Sequence, residues 1–415
     1  MSPTTKSFFI SLLLNLLIQP FDAWACGEHH HHPHDNEAPT KRLFDIPKGS
    51  SARVSIIDST ARLRGSRPSD LLTPYIPGFD NFSHPSPSWS FLVENSKGDK
   101  RALFDLGGPP NFTESYSPAI QRVIQTAPWT FSVDKHVVDI LRENRVNPAS
   151  IGSIVWSHSH FDHIGDPSTF PHSTDLVVGP GWKAAFLPAY PTDPDSPVKD
   201  AYWQGRNLVE IDFTKKPLKI GAFSALDFFG DGSFYLLDAP GHSVGHMTAL
   251  ARTTSKRKDR DDQDTFIYMG GDLVHHASEI RPSKLVPFPR NAEHKYPCRP
   301  TKPKTKPPTR CPGTEAFRAL NVELGRDPDG PTTDPTLFVN FTQAKQSIEK
   351  TQAADASENV FVIWAHYAEI EGTVDLFPKF ANDWKKKGWR DKVFWSYLMD
   401  LAPAATNVSL LEKKC

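Results

Sequence analysis

Apolar residues along the chain fall into short runs divided by turn chemistry, and the first run stands apart. Lys6 precedes Phe8 to Ile18, a stretch broken only by Ser11 and Asn15, and Ala23-Trp24-Ala25 follows with small residues at the two positions a signal peptidase inspects. Residues 1–25 therefore read as a secretory signal peptide cleaved before Cys26, which makes the expected location extracellular. The run is too short to span a bilayer, and no later stretch reaches the roughly 20 apolar residues a spanning helix needs. Residues 26–45 are polar, carry His29 to His32 and His34, and read as a flexible arm.

Strand-like alternation begins near Arg53, at Val54, Ile56 and Ile57. A hairpin follows, with Trp89 to Glu94 and Ala102 to Leu106 joined by Lys97-Gly98-Asp99. Ser132 is placed to cap a helix over about Val133 to Asn144, whose Val133, Val137, Ile140 and Leu141 share a face. Short buried strands are expected at Ile154 to Trp156, Leu176 to Val178, Phe223 to Phe228, Phe234 to Leu237, Thr248 to Ala251 and Phe266 to Met269. A helix is expected from Leu337 to about Ala354, then a last strand from Val360 to Ala365. Helices and strands alternate with mixed links, so the class is α/β. Residues 46–415 read as one catalytic domain, with 281–335 an irregular Pro- and Lys-rich insertion.

The strand ends are where the chemistry gathers. His158-Ser159-His160-Phe161-Asp162-His163 follows a strand directly, and imidazole nitrogen and carboxylate oxygen are good ligands for zinc and related divalent ions. Extended backbone sends His158 and His160 to one side, and a turn can swing Asp162 and His163 to a neighbouring position. Ala239-Pro240-Gly241-His242, Gly270-Gly271-Asp272 and Ile363-Trp364-Ala365-His366 each end a later strand with one more candidate ligand. A lone His242 or His366 would more often be structural. Recurrence at one topological position argues for a shared site.

This ordered set resembles the metallo-β-lactamase superfamily over about residues 53–395, and within it the lactonase and glyoxalase-II-like branch, in a secreted fungal-type form. The resemblance implies an αββα sandwich with two divalent metal ions, zinc first, at one edge. It implies His158, His160 and His242 on one metal, Asp162, His163 and His366 on the other, and Asp272 bridging with a water or hydroxide. Asp105, in Phe104-Asp105-Leu106-Gly107, matches a family turn that orients an imidazole. His246 follows His242 at the spacing of a supporting residue. One departure is visible: several lactonases carry a tyrosine three residues after the bridging aspartate, where this chain has His275, followed by His276. Asp162 and His275 are the expected catalytic groups, the first positioning the nucleophile and the second a donor to the substrate.

Composition narrows the reading. Formal net charge is −1, so no global field draws the chain to nucleic acid. Four Asn-x-Ser/Thr sequons, at Asn81, Asn111, Asn340 and Asn407, agree with an exported glycoprotein. Four cysteines allow three pairings, of which Cys298–Cys311 and Cys26–Cys415 suit the loop they bracket and the mature termini. The expected function is hydrolysis of an activated carbonyl, a lactone first, then a lactam or thioester. An iron-dependent oxidoreductase and a non-catalytic metal binder are the readings from other classes. The substrate is expected to be small and apolar, contacted by Phe186 to Trp203, including Tyr190 and Tyr202, and by the 281–335 insertion.

Overall fold

Period-two alternation explains how one sheet serves two cores. In the computed structural model, which describes residues 44–215, 217–256, 263–297 and 311–412, Val54 and Ile56 of the first strand face one apolar cluster while Ile57 faces another. Phe91 and Val93 against Leu92, Phe104 against Leu103, Val155 against Ile154, and Val177 against Leu176 divide the same way. The sheet is therefore buried on both faces, between a second sheet and an outer layer of helices.

In chain order the strands are β1 (Ala52–Arg64), β2 (Leu72–Thr73), β3 (Ser86–Asn95), β4 (Arg101–Phe104), β5 (Thr130–Ser132), β6 (Ser153–Val155), β7 (Asp175–Val178) and β8 (Leu208–Glu210). They continue as β9 (Leu218–Ile220), β10 (Phe223–Asp227), β11 (Phe234–Asp238), β12 (Met247–Thr254), β13 (Thr265–Met269), β14 (Asp334–Pro335) and β15 (Val360–Ile363). One sheet has the order β5-β1-β3-β4-β6-β7-β8 and the other β15-β13-β12-β11-β10-β9, with β2 and β14 paired separately. β4, β6, β7 and β8 run parallel, as do β13 and β15, whereas the hairpins are antiparallel. With helices such as Pro118–Thr126 and Phe341–Asp355 outside the sheets, the arrangement is the expected αββα sandwich.

Several boundaries differ from expectation, each for a local reason. Ser132 ends β5 instead of capping a helix, because its hydroxyl accepts from Arg64 and its backbone pairs with Arg62. The backbone N–H groups of Asp134 and Lys135 both donate to Thr60 Oγ1, holding the chain extended until Val137, where the helix Val137–Glu143 starts. The later helix begins at Phe341, not Leu337, since Asn340 is its cap and accepts from Gln343 N at 3.0 Å. Folded structure begins before Arg53: Phe44, from the stretch read as a flexible arm, is buried and packs edge-on to Tyr268 at 6.4 Å. Within 281–335, proline content concealed the ten-residue helix Thr314–Glu323.

Residues 1–43, with the leader-like segment, most of the arm and Cys26, lie outside the described residues, as do Cys298 and Cys415. Among the described residues no helix is long and apolar enough to cross a membrane.

Candidate metal centre

Four loops, each leaving the end of a strand, converge. β6 ends at Val155 and delivers His158, His160, Asp162 and His163; β11, β13 and β15 deliver His242, Asp272 and His366. Local sequence makes the turns possible. Gly241 has φ +131°, and a Cβ there would lie 2.0 Å from Ala344 N, so only glycine lets the chain pass the helix Phe341–Asp355 and present His242.

The ligand atoms face one another instead of donor facing acceptor. His242 Nε2 is 3.2 Å from His158 Nε2 and 3.0 Å from His160 Nδ1, so three imidazole nitrogens meet. Asp272 Oδ2 lies 3.5 Å from His242 Nε2 and 3.7 Å from His158 Nε2. Its other oxygen, Oδ1, lies 3.0 Å from His163 Nε2 and 3.1 Å from His366 Nε2. Asp162 completes this second group, Oδ2 being 3.5 Å from His366 Nε2 and Oδ1 3.8 Å from His163 Nε2. A tetrahedral ion with bonds of about 2.0 Å sets neighbouring ligand atoms about 3.3 Å apart, close to these edges. Asp272 thus belongs to two groups at once.

The outward-facing nitrogens confirm the direction of the inward ones. His163 Nδ1 meets Asp105 Oδ2 at 2.9 Å, His242 Nδ1 donates to Leu337 O at 3.1 Å, and His366 Nδ1 donates to Pro87 O at 2.6 Å. A histidine that donates through one nitrogen turns the lone pair of the other toward the centre, as metal-ligating histidines do. His246 plays another part: its Nδ1 donates to Ala239 O and its Nε2 accepts from Asp272 N, fixing the loop that carries the shared carboxylate.

Electrostatics agree with a cation site. Burial holds His158 and His242 well below the usual imidazole range and lowers His160 to about 4, keeping these rings neutral. Burial also opposes charge on His163, but Asp272, Asp162 and Asp105 outweigh it and raise this group well above the ordinary value. Asp272 is pushed up by burial and pulled down further by His163 and His366, so it ends well below the carboxylate range. The field around the second group calls for positive charge. His163 Nε2 and Asp272 Oδ1 are buried 3.0 Å from each other without an aligned hydrogen bond, a pairing that a cation between them would complete.

Asp105 is the residue that joins the two groups from behind. It sits at φ +59°, accepts from Ser157 N and Ser157 Oγ at 2.6 and 2.7 Å, and holds His163. Asp105→Asn is expected to weaken metal affinity by about 10- to 100-fold, measured by competition with a chromogenic chelator. An unchanged affinity would show that His163 needs no such support.

Comparison with known proteins now has a geometry to meet. A family model described as the Metallo-beta-lactamase superfamily matches residues 84–252. The chain is 41% identical over 368 residues to "Gamma-lactamase FDB1" of Fusarium pseudograminearum, covering 86% of this chain and 84% of that protein. The chain belongs to the metallo-β-lactamase superfamily. This member is a metal-dependent hydrolase that carries a His/Asp cluster suited to divalent metal. It is also 38% identical over 366 residues to "Cytochrome P450 monooxygenase mpaDE'" of Penicillium brevicompactum, but spans only 38% of that protein's length. A crystal structure of B. thuringiensis AiiA with N-decanoyl-L-homoserine bound at the active site shares the family's fold, at TM-score 0.50 and 15% identity over 80% of this chain and 99% of that one.

His275 lies at the edge of the centre, its Nε2 3.4 Å from Asp272 Oδ2, with both ring nitrogens buried and lacking an aligned partner. It lines a cleft together with Phe82, His84, His276, Glu369 and Asp400. The segments expected to overhang the metals do not line it: Tyr202 is core, edge-on to Trp156 at 5.8 Å and donating to Ser115 O. Glu279 escaped the sequence reading although its signal was present. Its Oε1 accepts from both His275 N and His276 N, the reach-back of a capping box three residues after the cap.

Proposed function

We propose that the protein opens the ring of a small lactam or lactone by adding water across its acyl bond, at a pair of divalent cations. Zinc is the ion that this nitrogen and oxygen donor set suits best. The observation that carries the reading is Asp272, whose two oxygens face two separate histidine groups. His158, His160 and His242 would hold one ion and Asp162, His163 and His366 the other, with Asp272 between them. The pair, when bound, supplies Lewis acidity and makes water a competent nucleophile at neutral pH.

The remaining work falls to the chain. Asp162, with Ser88 Oγ 3.4 Å from its Oδ2, keeps an acceptor oxygen at the centre and can take a proton from the attacking water. His275 is the group placed to hydrogen-bond the carbonyl or the leaving atom, because it borders the centre, Nε2 3.4 Å from Asp272 Oδ2, and neither ring nitrogen has an aligned hydrogen bond. Ring opening breaks the acyl C–N or C–O bond; hydroxyl goes to the acyl carbon and a proton to the departing nitrogen or oxygen. The name of the 41%-identical relative supports a γ-lactam, while the motif resemblance supports a lactone. The leader-like pattern of residues 1–25 supports an exported enzyme.

A substrate panel tests the reading with zinc-loaded protein beside a His158→Ala control. Lactone opening releases a net proton and is followed at constant pH; lactam opening is followed by chromatography of the amino acid formed. Turnover of at least one class, slowed in the control by about 10³-fold or more, is expected. Silence toward both classes would overturn the assignment.

A further inference from the structure

The cleft beside the centre carries a second cluster of titratable side chains. His276, Glu369 and Asp400 meet there with side-chain atoms within 4.8 Å of one another, in a cleft that His275 and His366 also line. Its apolar lining is Phe82, Trp364 and Ala368, and among the described residues no lysine or arginine lines it. His276 is fixed from behind, Nδ1 lying 2.6 Å from Ser278 Oγ, which in turn contacts Thr333 Oγ1 at 2.7 Å. Its Nε2 is buried, 3.4 Å from Asp400 Oδ2 but not aligned for a hydrogen bond. Asp400 takes the Ser83 hydroxyl on its other oxygen, and among the described residues no other side chain donates to Glu369.

Glu369, to which no side chain among the described residues donates, and Asp400, with one oxygen taken by Ser83, leave acceptor oxygens in the cleft that are complementary to a ligand bringing a donor. The expectation of an apolar substrate conflicts with this cluster. We propose that Glu369 and Asp400 recognise a hydroxyl, amino or N–H group on the substrate, on the side remote from its scissile bond, while Phe82 packs against its ring. The substrate class is then a compact cyclic lactam or lactone bearing a hydrogen-bond donor, not one bearing a long aliphatic chain. This inference rests on the ring-opening reading above.

The experiment compares dihydrocoumarin with its ring-hydroxylated isomers, on wild type and Glu369→Gln, with metal content measured on both. Glutamine keeps the size of the side chain at a position that supports no other side chain. Wild type is expected to favour at least one hydroxylated isomer by about 10- to 100-fold in kcat/KM. Glu369→Gln should lose that preference mainly through KM, leave the bare ring within about twofold, and keep its metal. Equal kcat/KM across the set, or a variant that slows every substrate alike, overturns the inference while ring opening stands. One more metal ion per chain in wild type than in the variant also overturns it, by assigning the cluster to a cation. No turnover of any ring, nor of the matching lactams, removes the ring-opening reading and this inference with it.

Discussion

Asp272→Ala should abolish turnover while leaving the fold intact. The side chain is a single carboxylate whose oxygens meet His163 and His366 on one side and His242 and His158 on the other, so its loss opens both groups at once. Metal-assisted hydrolysis draws several kcal/mol of transition-state stabilisation from its ions, which corresponds to roughly 10³- to 10⁵-fold in rate. The measurements are kcat/KM on whichever ring the wild type opens, and metal bound per chain after dialysis. Asp105→Asn touches the ligands only from behind, through His163 and Ser157, and should lie well above it in residual activity. A variant at Asp272 that kept wild-type metal content and rate would show that the two groups are independent sites.

The largest effect on stability is expected far from the centre, at Asp355→Ala. Arg281 is buried, 1% exposed, with Nε 3.1 Å from Asp355 Oδ2 and Nη2 2.5 Å from Oδ1. Nη1 donates to Phe394 O at 2.6 Å, and the guanidinium carbon stands 3.8 Å from the Phe394 ring centroid. Removing the carboxylate strands a cation in the core, which costs about 3–5 kcal/mol. Chemical denaturation of the metal-loaded protein reads it directly. Replacing both partners by apolar residues should cost much less, because the expensive element is the unpaired charge and not the loss of the pair. A single variant within about 1 kcal/mol of wild type would contradict the geometry.

How much of this was legible beforehand depended on whether the signal was local. Strands β3, β4, β12 and β13 announce themselves as short, nearly continuous apolar runs, because burial on both faces demands an apolar residue on each side. The candidate ligands are legible for a related reason: each follows its strand within a few residues, so spacing alone places it at the same edge. Asp400 has no such address. It opens the helix Leu398–Glu412, which Pro403 disguises, and it reaches the cleft only through packing of the chain's last helix. Glu369 likewise reads as an ordinary turn carboxylate until the cleft is seen. Burial pushes it up to about 7, with Asp400 adding and His276 opposing, a perturbation no linear pattern records. Tyr202 is the opposite case: an aromatic between turn residues suits either ligand contact or packing, and it packs against Trp156.

The division of ligands between the sheets has a thermodynamic consequence. His158, His160, Asp162 and His163 hang from the first sheet, and His242, Asp272 and His366 from the second. An ion held by both would act as a crosslink between halves that otherwise adhere through side-chain packing and hydrogen bonds such as Met247 N to Ser157 O and Trp89 N to Ala365 O. Its binding free energy is then also free energy of cohesion, growing with the logarithm of free metal concentration. The resistance of the sandwich to opening is in that sense set partly by the medium and not only by the polypeptide. A chain made where metal is scarce and used where it is plentiful would tighten on arrival.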